Sequence, residues 1–376
     1  MPVSVAKKLE SMRSAFFWGG VEGNRKMAWI KWDHVQASKE KCGLDLGSIV
    51  SFNVALMLKW KWRFFNYGGL VWVQVINSLY GNKGGFGGFK KVASGDSPWA
   101  RLIALDKKLD ASGVIRQNVL RWKVRSGHDT LFWLDNWVGE NTLAEVYPRR
   151  QLEGGVSAAQ MEELVFKLVN EKCIDGQDYW QWGINSDGQY TVSSTRQWID
   201  DKVLPTVGRA TRWCSWVLKK VKIFVWRVLW NRLPTRDLLI SRGINVDSDL
   251  CPLCNIENES VNHVLGSYEV ASSIWRLVLR WLQIHATMSL GPENVFQWLD
   301  EVKVHKDKKK VIEVIVCTTL WAIWRLRNDS VHEVRVLRKN LLFDFIQEFS
   351  FCWCNSRQNK FRILWVNWLQ HPLLAL

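Results

Sequence analysis

Acidic residues are the scarce class in this 376-residue chain: 36 Asp and Glu face 51 Lys and Arg, a formal net charge of +15. A surplus of that size favours a polyanionic partner, because each Lys or Arg set against a phosphate releases condensed counterions. Nucleic acid is one such polyanion and a membrane surface is the other. Long apolar runs are missing too. Val311 to Trp324 is strongly apolar, but it is about 14 residues long and contains Glu313. That is short of the roughly 20 residues needed to span a bilayer, so it reads as a buried helix. The eight Cys form no dense or regular framework, and Lys7, Lys8, Glu10 and Arg13 interrupt the stretch where a signal peptide would be apolar. The expectation is an intracellular protein, nuclear or cytoplasmic, neither secreted nor membrane-spanning, with free or metal-bound thiols.

Catalytic patterns are equally thin. Asp200-Asp201 is the one Asp-Asp pair. It lies in a helical pattern ahead of a proline linker, not on the hairpin that two-metal nucleotidyl transfer requires. Trp133-Leu134-Asp135 and Trp298-Leu299-Asp300-Glu301 are isolated, and the carboxylates show no ribonuclease H arrangement. The seven His pair with no Gly-x-Ser-x-Gly or Cys motif. The glycine-rich run Gly81 to Phe89 lacks a Gly-Lys-Ser/Thr ending and a leading strand, and reads as a flexible surface loop. No enzyme is expected from this chain.

What is present is globular: 47% hydrophobic and 23% charged residues, with 25 Trp against 16 Phe and 6 Tyr. Most of these indoles should be packing anchors, while a minority could stack on unpaired bases. Val5 to Trp18 reads as an amphipathic helix stopped by Gly19-Gly20, Met27 to Val35 as a short strand or turn, and Ser48 to Phe65 as helix. Trp122 to Trp133 alternates around Ser126-Gly127 and predicts a hairpin; Tyr179 to Val192, turning at Asn185 to Gly188, predicts a second. A helix follows over Ser194 to Val203, with Pro205 to Gly208 as the best linker candidate. The fold class is therefore α+β and mostly helical, with small hairpins in the middle.

One stretch carries metal-ligand spacing. In Cys251-Pro252-Leu253-Cys254, two thiolates two residues apart can clasp one Zn²⁺ from a tight turn, and His263 supplies a third donor. Just ahead of it, Val217, Val221, Phe224, Val225 and Val228 form an apolar stripe, with Trp226 and Trp230 on a neighbouring face. Between 212 and 242 the eight bases Arg212, Lys219, Lys220, Lys222, Arg227, Arg232, Arg236 and Arg242 meet the single acid Asp237. This is the densest sustained positive field in the chain, a candidate nucleic-acid surface on which Trp226 or Trp230 would stack on a base. Thr235 fits an N-cap for a helix ending at Arg242, with Gly243 after it. Lys308-Lys309-Lys310 reads equally as a phosphate or nuclear-import patch and as a helix start. Cys352-Trp353-Cys354 reads as two unpaired thiols more readily than as a soft-metal site.

These residues resemble the zinc-binding region that follows the polymerase domain in plant LINE-type (non-LTR) retroelement reverse transcriptases. The resemblance rests on Trp216 to Trp230, Arg232-Leu233-Pro234-Thr235, Asp237 to Gly243, Cys251 to Cys254, Glu259-Ser260 and His263. Phe16 to Gly20, Trp29, Trp32, Asn53 to Arg63 and Leu320 to Asn328 resemble the flanking segments of the same family, so most of the chain is covered but not the polymerase. The family's last Cys falls on Tyr268, a poor zinc ligand at neutral pH. This copy would have to borrow water, Glu269 or a remote thiol such as Cys214. The resemblance implies a helical connector over 1–95, a small α+β region over 96–189, a zinc-binding-like domain over 190–284 and a helical end over 285–376. It implies a non-catalytic portion of an RNA-directed DNA polymerase that holds RNA or DNA, works without a membrane, and acts beside a separately encoded reverse transcriptase if it acts alone. The rival expectation is an inactive remnant serving as a structural or interaction module.

Overall fold

A computed structural model of the chain describes residues 1–20, 24, 26–86, 97–128, 130–135, 137–138, 142–147, 158–169, 175–206, 208, 210–284, 291–332, 338–357 and 362–374. It groups into two compact units, Met1–Arg209 and Ala210–Leu376. The expected boundary at 189/190 falls inside the first unit, and the one at 284/285 falls inside the second. The C-terminal helices share one hydrophobic core with the zinc-binding-like stretch.

The first unit contains α1 (Val3–Phe17), α2 (Trp32–Gln36), α3 (Ile49–Asn66), α4 (Val71–Tyr80), α5 (Pro98–Ala111), β1 (Leu120–Lys123), α6 (Leu143–Val146), α7 (Ala158–Val169), β2 (Tyr179–Trp182) and α8 (Val192–Val203). Helix α3 is its spine and packs against α1, α5, α8 and β2. Its start is fastened three ways. Ser48 caps it, accepting from Val50 N at 3.0 Å. Glu10 of α1 accepts from Ile49 N at 2.7 Å and from the Trp32 indole at 2.8 Å. Asp200 of α8 accepts from Ser48 N at 3.3 Å. Two carboxylates thus answer the positive end of the helix dipole and its orphan amides. Burial pushes the Asp200 carboxyl up, against the opposing pull of Ser51, Ser48 and Arg196. The Asp-Asp pair therefore holds a structural carboxylate.

Downstream on α3, Leu58 and Trp62 join Leu109, Ile115, Leu120, Trp182 and Ile199 in a core. Lys61 is drawn into this interior. Its ammonium meets Asp106 of α5 at 2.6 Å, with side-chain exposures of 3% and 5%. The described part of the glycine-rich run is a turn packed on that helix. Gly84 has φ +58, and a Cβ there would come within 2.7 Å of the Phe64 ring, so only glycine fits. Residues 87–89 of the run lie outside the described residues.

The sheet differs from expectation. The first limbs of the two expected hairpins pair with each other: β1 and β2 run antiparallel with Trp122 opposite Trp180 and Leu120 opposite Trp182. The cause lies in the segment after β1. Asp178 accepts from Arg125 N at 2.6 Å, Gly127 N at 3.1 Å and the Thr130 hydroxyl at 2.8 Å, so the Ser-Gly turn is closed by a carboxylate from the distant strand. The Asn185 to Gly188 turn does form, with Trp182 N donating to Gly188 O at 2.7 Å. Near Trp29 and Trp32 the chain makes a turn leading into α2 rather than a strand.

The second unit contains α9 (Lys219–Leu229), α10 (Arg236–Ile240), α11 (Glu269–Trp281), α12 (Pro292–Glu301), α13 (Lys306–Val331), α14 (Leu342–Arg357) and α15 (Trp365–Gln370). Helix α13, with its apolar stretch buried almost all round, is the axis against which α9, α11, α12 and α14 pack. At 26 residues it is long, but no helix among the described residues is long and apolar enough to cross a membrane. Indoles lock the helices together: Trp281 donates to the Trp368 and Leu369 carbonyls, and Trp368 to the Gln347 carbonyl, all at 3.0 Å. Burying these large rings with their N–H groups satisfied is one use the fold makes of its tryptophans.

The buried Lys61–Asp106 pair yields a prediction. Asp106→Ala strands an ammonium in the core and should cost about 3–5 kcal/mol, whereas Lys61→Met with Asp106→Leu should be neutral or stabilising. Urea denaturation of the three chains separates these outcomes.

Candidate metal centre

The ligand loop is built by backbone bonds before any metal is considered. Leu250 and Asn258 form an antiparallel bridge, Glu259 N donates to Asp249 O at 2.9 Å, and Cys251 N donates to Glu257 O at 2.7 Å. Between them Asn255 adopts φ +55 and its N–H reaches Cys251 O at 2.8 Å, closing the knuckle so that both thiols face one side. His263 comes from the next turn. Ser260 Oγ accepts from His263 N at 3.1 Å, and residues 263–267 make a single π turn closed by Tyr268 N donating to His263 O at 2.7 Å. Widened turns of this kind re-aim side chains at functional sites.

The result is convergence. The Cys251, Cys254 and His263 donor atoms all lie within 4.8 Å of one another, and Cys254 Sγ is 3.4 Å from His263 Nε2. Tetrahedral zinc with Zn–S near 2.3 Å and Zn–N near 2.0 Å places its donors about 3.5–3.8 Å apart. The three residues therefore fit zinc, which would supply a structural clasp rather than chemistry. The second imidazole nitrogen is also held: Nδ1 lies 2.9 Å from Glu257 Oε2 and 3.4 Å from Ser267 Oγ. A carboxylate on that nitrogen keeps its proton there and leaves Nε2 as the free lone pair facing the thiols. Burial raises the Cys254 thiol, but the amides of Glu257 and Ile256, then His263 and Cys251, bring it down to about 7. Burial pushes Cys251 up. Metal binding would deprotonate both.

Tyr268 takes the fourth family position. It is 4% exposed, its ring centroid is 6.1 Å from that of His263, and Lys339 lies over its face at 5.9 Å. Neither Glu269 nor Cys214 joins the ligand cluster among the described residues. Cys214 instead interacts electrostatically with Glu313, Cys317 and Cys354, away from the knuckle. In Cys352-Trp353-Cys354 the first thiol is exposed and the second buried, so the two do not converge.

The site is anchored from outside by a residue pair whose roles the sequence left blank. Glu259, with no exposed surface, accepts from Arg327 Nε at 2.6 Å and Nη2 at 2.8 Å, and from Arg236 N at 2.8 Å. Arg327 also donates to Pro234 O at 3.2 Å. Thr235 does occupy the N-cap position of α10, but its hydroxyl is buried without a hydrogen-bond partner among the described residues; Glu259, accepting from Arg236 N, caps the helix in its place. Helix α10 ends at Ile240, and Gly243 takes φ +75 beyond it. The Glu-Ser pair, Arg327 and Glu257 are the functional residues that spacing alone did not mark. The resemblance carried by Glu259-Ser260 and by Leu320 to Asn328 was the available signal for the pair, and nothing marked Glu257.

The candidate nucleic-acid residues divide. Arg212 is paired with Asp300 and lies 3.4 Å from Glu313. Lys222 is buried, with its ammonium over the Trp213 ring. Arg227 is half-buried, donates to Arg232 O and is pulled down to about 10 by burial. Arg236 is spent on Leu250 O at 2.6 Å. Trp226 is 1% exposed and packs edge-on to the half-buried Trp230, so it offers no face to a base. Lys219, Lys220 and Arg242 are exposed, the Lys220 ammonium also lying over the Trp321 ring, and partial burial, then the charge of half-buried Arg232, lowers Arg242. The apolar stripe of α9 explains the division, because turning Val221, Phe224, Val225 and Val228 inward carries Lys222 and Trp226 in with them.

Residues 190–275 match the family described as zinc-binding in reverse transcriptase. The chain is 24% identical over 367 residues to an Arabidopsis thaliana protein provisionally named ribonuclease H protein, covering 88% of this chain and 57% of that one. It is 28% identical over 142 residues to an uncharacterized mitochondrial protein of Arabidopsis thaliana, covering 37% of this chain and 86% of that one. No solved structure matches. Residues 190–275 thus carry a region similar to the zinc-binding part of reverse transcriptases, and the relatives named here are plant proteins. It spans little more than half the length of the first relative.

Two outcomes follow. Arg327→Met leaves Glu259 charged and unpaired in the interior and should cost about 3–5 kcal/mol in chemical denaturation. Tyr268→Cys supplies a fourth ligand, a third thiolate, and should raise zinc affinity in competition with a chelator; unchanged affinity would show that position 268 does not face the metal.

Proposed function

We propose that this chain is the non-catalytic, nucleic-acid-binding portion of a LINE-type reverse transcriptase, lying after the polymerase in the intact family. Zinc held by Cys251, Cys254 and His263 serves as a staple for the fold. The observation that carries the reading is the first turn of α9. Lys219 and Lys220 are exposed there, no acid occupies the turn, and no side chain caps it. Bases at this end oppose the helix dipole, an arrangement that costs stability unless an anion answers it. The exposed Arg357 adds to the same neighbourhood, its guanidinium 3.4 Å from Val217 O. Backbone phosphates of RNA or DNA suit this cluster, and the surplus of +15 adds steering. The engaged Asp200 carboxylate supports a non-catalytic reading, with polymerization left to a polymerase elsewhere in the parent protein or separately encoded.

The test is oligonucleotide anisotropy against salt. On single strands each phosphate contact contributes a slope of about 0.7 in log K against log salt. Lys219→Glu with Lys220→Glu should therefore flatten the slope by about 1.4, counting one phosphate per lysine. No affinity at low salt, or affinity indifferent to salt, removes the proposal. A second reading, an inactive remnant acting as a structural module, is favoured by Tyr268 in the ligand position. Metal analysis separates the two, since a decayed site takes up no stoichiometric zinc.

A further inference from the structure

Helix α1 sits on the first unit with its polar side inward. Glu10 accepts from Ile49 N at 2.7 Å, from the Trp32 indole at 2.8 Å and from the Arg13 guanidinium at 2.9 Å. Arg13 donates onward to the Leu46 and Gly47 carbonyls, both at 3.2 Å, and Ala6, one turn before Glu10, is buried. Fastening α3 from this side carries the opposite side of α1 outward, and that side is apolar. Val5, Leu9, Met12 and Phe16 are 44%, 37%, 59% and 86% exposed. They follow one another at intervals of four, three and four residues, the 3.5-residue period of a coiled-coil seam. An exposed apolar stripe with a regular period marks an interaction surface more than scattered surface leucines do.

The spacing and the charges around it select what covers the stripe. A lipid surface takes a broad apolar face. A stripe confined to alternating three- and four-residue steps is the narrower kind that a second helix fills, its side chains seated between those of the first. Charge decides which helix. Lys7 and Lys8 are exposed on α1, Lys8 directly beside the stripe, and the one acid of α1 is the inward Glu10. Helix α3, which packs on α1, contains no acid and exposes Lys59 and Arg63 around an outward stripe of its own, Phe52, Leu56 and Trp60. A second copy of this chain would bring the same bases together across the seam, on top of two surpluses of +15, and like charges at flanking positions oppose pairing. We infer that the outward face of α1 docks an amphipathic α-helix of a partner protein, apolar at alternating intervals of three and four residues and flanked by Asp and Glu. The contact lies in the first unit and requires neither zinc nor nucleic acid.

The probe is a synthetic four-heptad peptide with Leu at the two seam positions and Glu at the positions beside them, labelled with fluorescein and titrated with the intact chain. Its glutamates repel one another across a pair and keep the free peptide monomeric and unfolded, so anisotropy and helix gained on mixing report the contact. Saturable binding that weakens with salt is expected. The same peptide with Lys in place of Glu should bind at least tenfold more weakly. Leu9→Asp should weaken binding by about tenfold or more, the scale of one leucine kept from burial. Met12→Asp, at a more exposed position, repeats the test should Leu9→Asp not fold. Lys8→Glu should lower affinity for the acidic peptide and raise it for the basic one. The Lys219→Glu, Lys220→Glu chain should bind the acidic peptide like wild type, which sets the contact apart from attraction to α9. Absence of saturable binding, equal affinity for the two peptides, or wild-type affinity in Leu9→Asp and Met12→Asp overturns the proposal. So does a monomer–dimer equilibrium in sedimentation that Leu9→Asp removes, which gives the face to a second copy. Cosedimentation with phosphatidylserine–phosphatidylcholine vesicles that Leu9→Asp removes overturns it too, and gives the face to a membrane.

Discussion

A carboxylate buried without exposed surface, clasped by a guanidinium 68 residues away in sequence, is the constraint on which the C-terminal unit turns. Glu259 ends the ligand knuckle, Arg327 belongs to the long axial helix, and Arg236 begins the short helix after the Pro-Thr turn. One ionic contact therefore fixes the register of three segments at once. Taking both charges out of water is expensive, and their attraction repays it only when further hydrogen bonds complete the shell. Here the shell is well supplied: two bonds between the charged groups, the Arg236 amide on the carboxylate, and the Pro234 carbonyl and Asn328 side chain on the guanidinium. Such a pair specifies one packing more than it deepens stability. That suits a knuckle whose own apolar content is small.

The metal ligands depend on this arrangement indirectly. Glu259 N bonds to Asp249 O and the neighbouring Ser260 hydroxyl receives His263 N, so the knuckle and the histidine turn are tied to the residue that Arg327 holds. Glu257, two residues earlier, orients the imidazole. Three acids and hydroxyls in a run of four residues thus have separate duties: one tunes a ligand, one anchors the loop, one caps the turn. The N-terminal unit uses the same device in another form, with Glu10 and Asp200 converging on the start of its central helix.

The helices, the buried character of Val311 to Trp324 and the Cys-Cys-His clasp were legible because they are periodic or local: 3.6-residue apolar stripes and a two-residue gap between thiols. The basic run was legible as charge but not as surface. Counting eight bases between 212 and 242 says nothing of which ones the inward turn of α9 carries into contact with Trp213, Asp300 or a carbonyl. Trp226 shows this most plainly. Its neighbourhood in sequence is cationic, while its neighbourhood in space is core. The two strands misled for a related reason: each turn signal was real, but Asp178 and the Trp122–Trp180 pairing made a distant partner better than the adjacent one.

By itself the sequence determined the quantities that add up residue by residue: the charge surplus, the helical content, the absence of a bilayer-length apolar helix and the donor types offered to a metal. Tertiary structure alone decided which groups meet. It joined Glu259 to Arg327, gave Lys61 to Asp106, spent half of the basic cluster on internal partners, and set aromatic rings from α3, β1 and β2 around a cavity. The physical reason is that a charge or a ring has no preferred partner along the chain. Its cheapest neighbour is whichever complementary group the buried apolar faces bring within reach, and that is settled only when those faces pack.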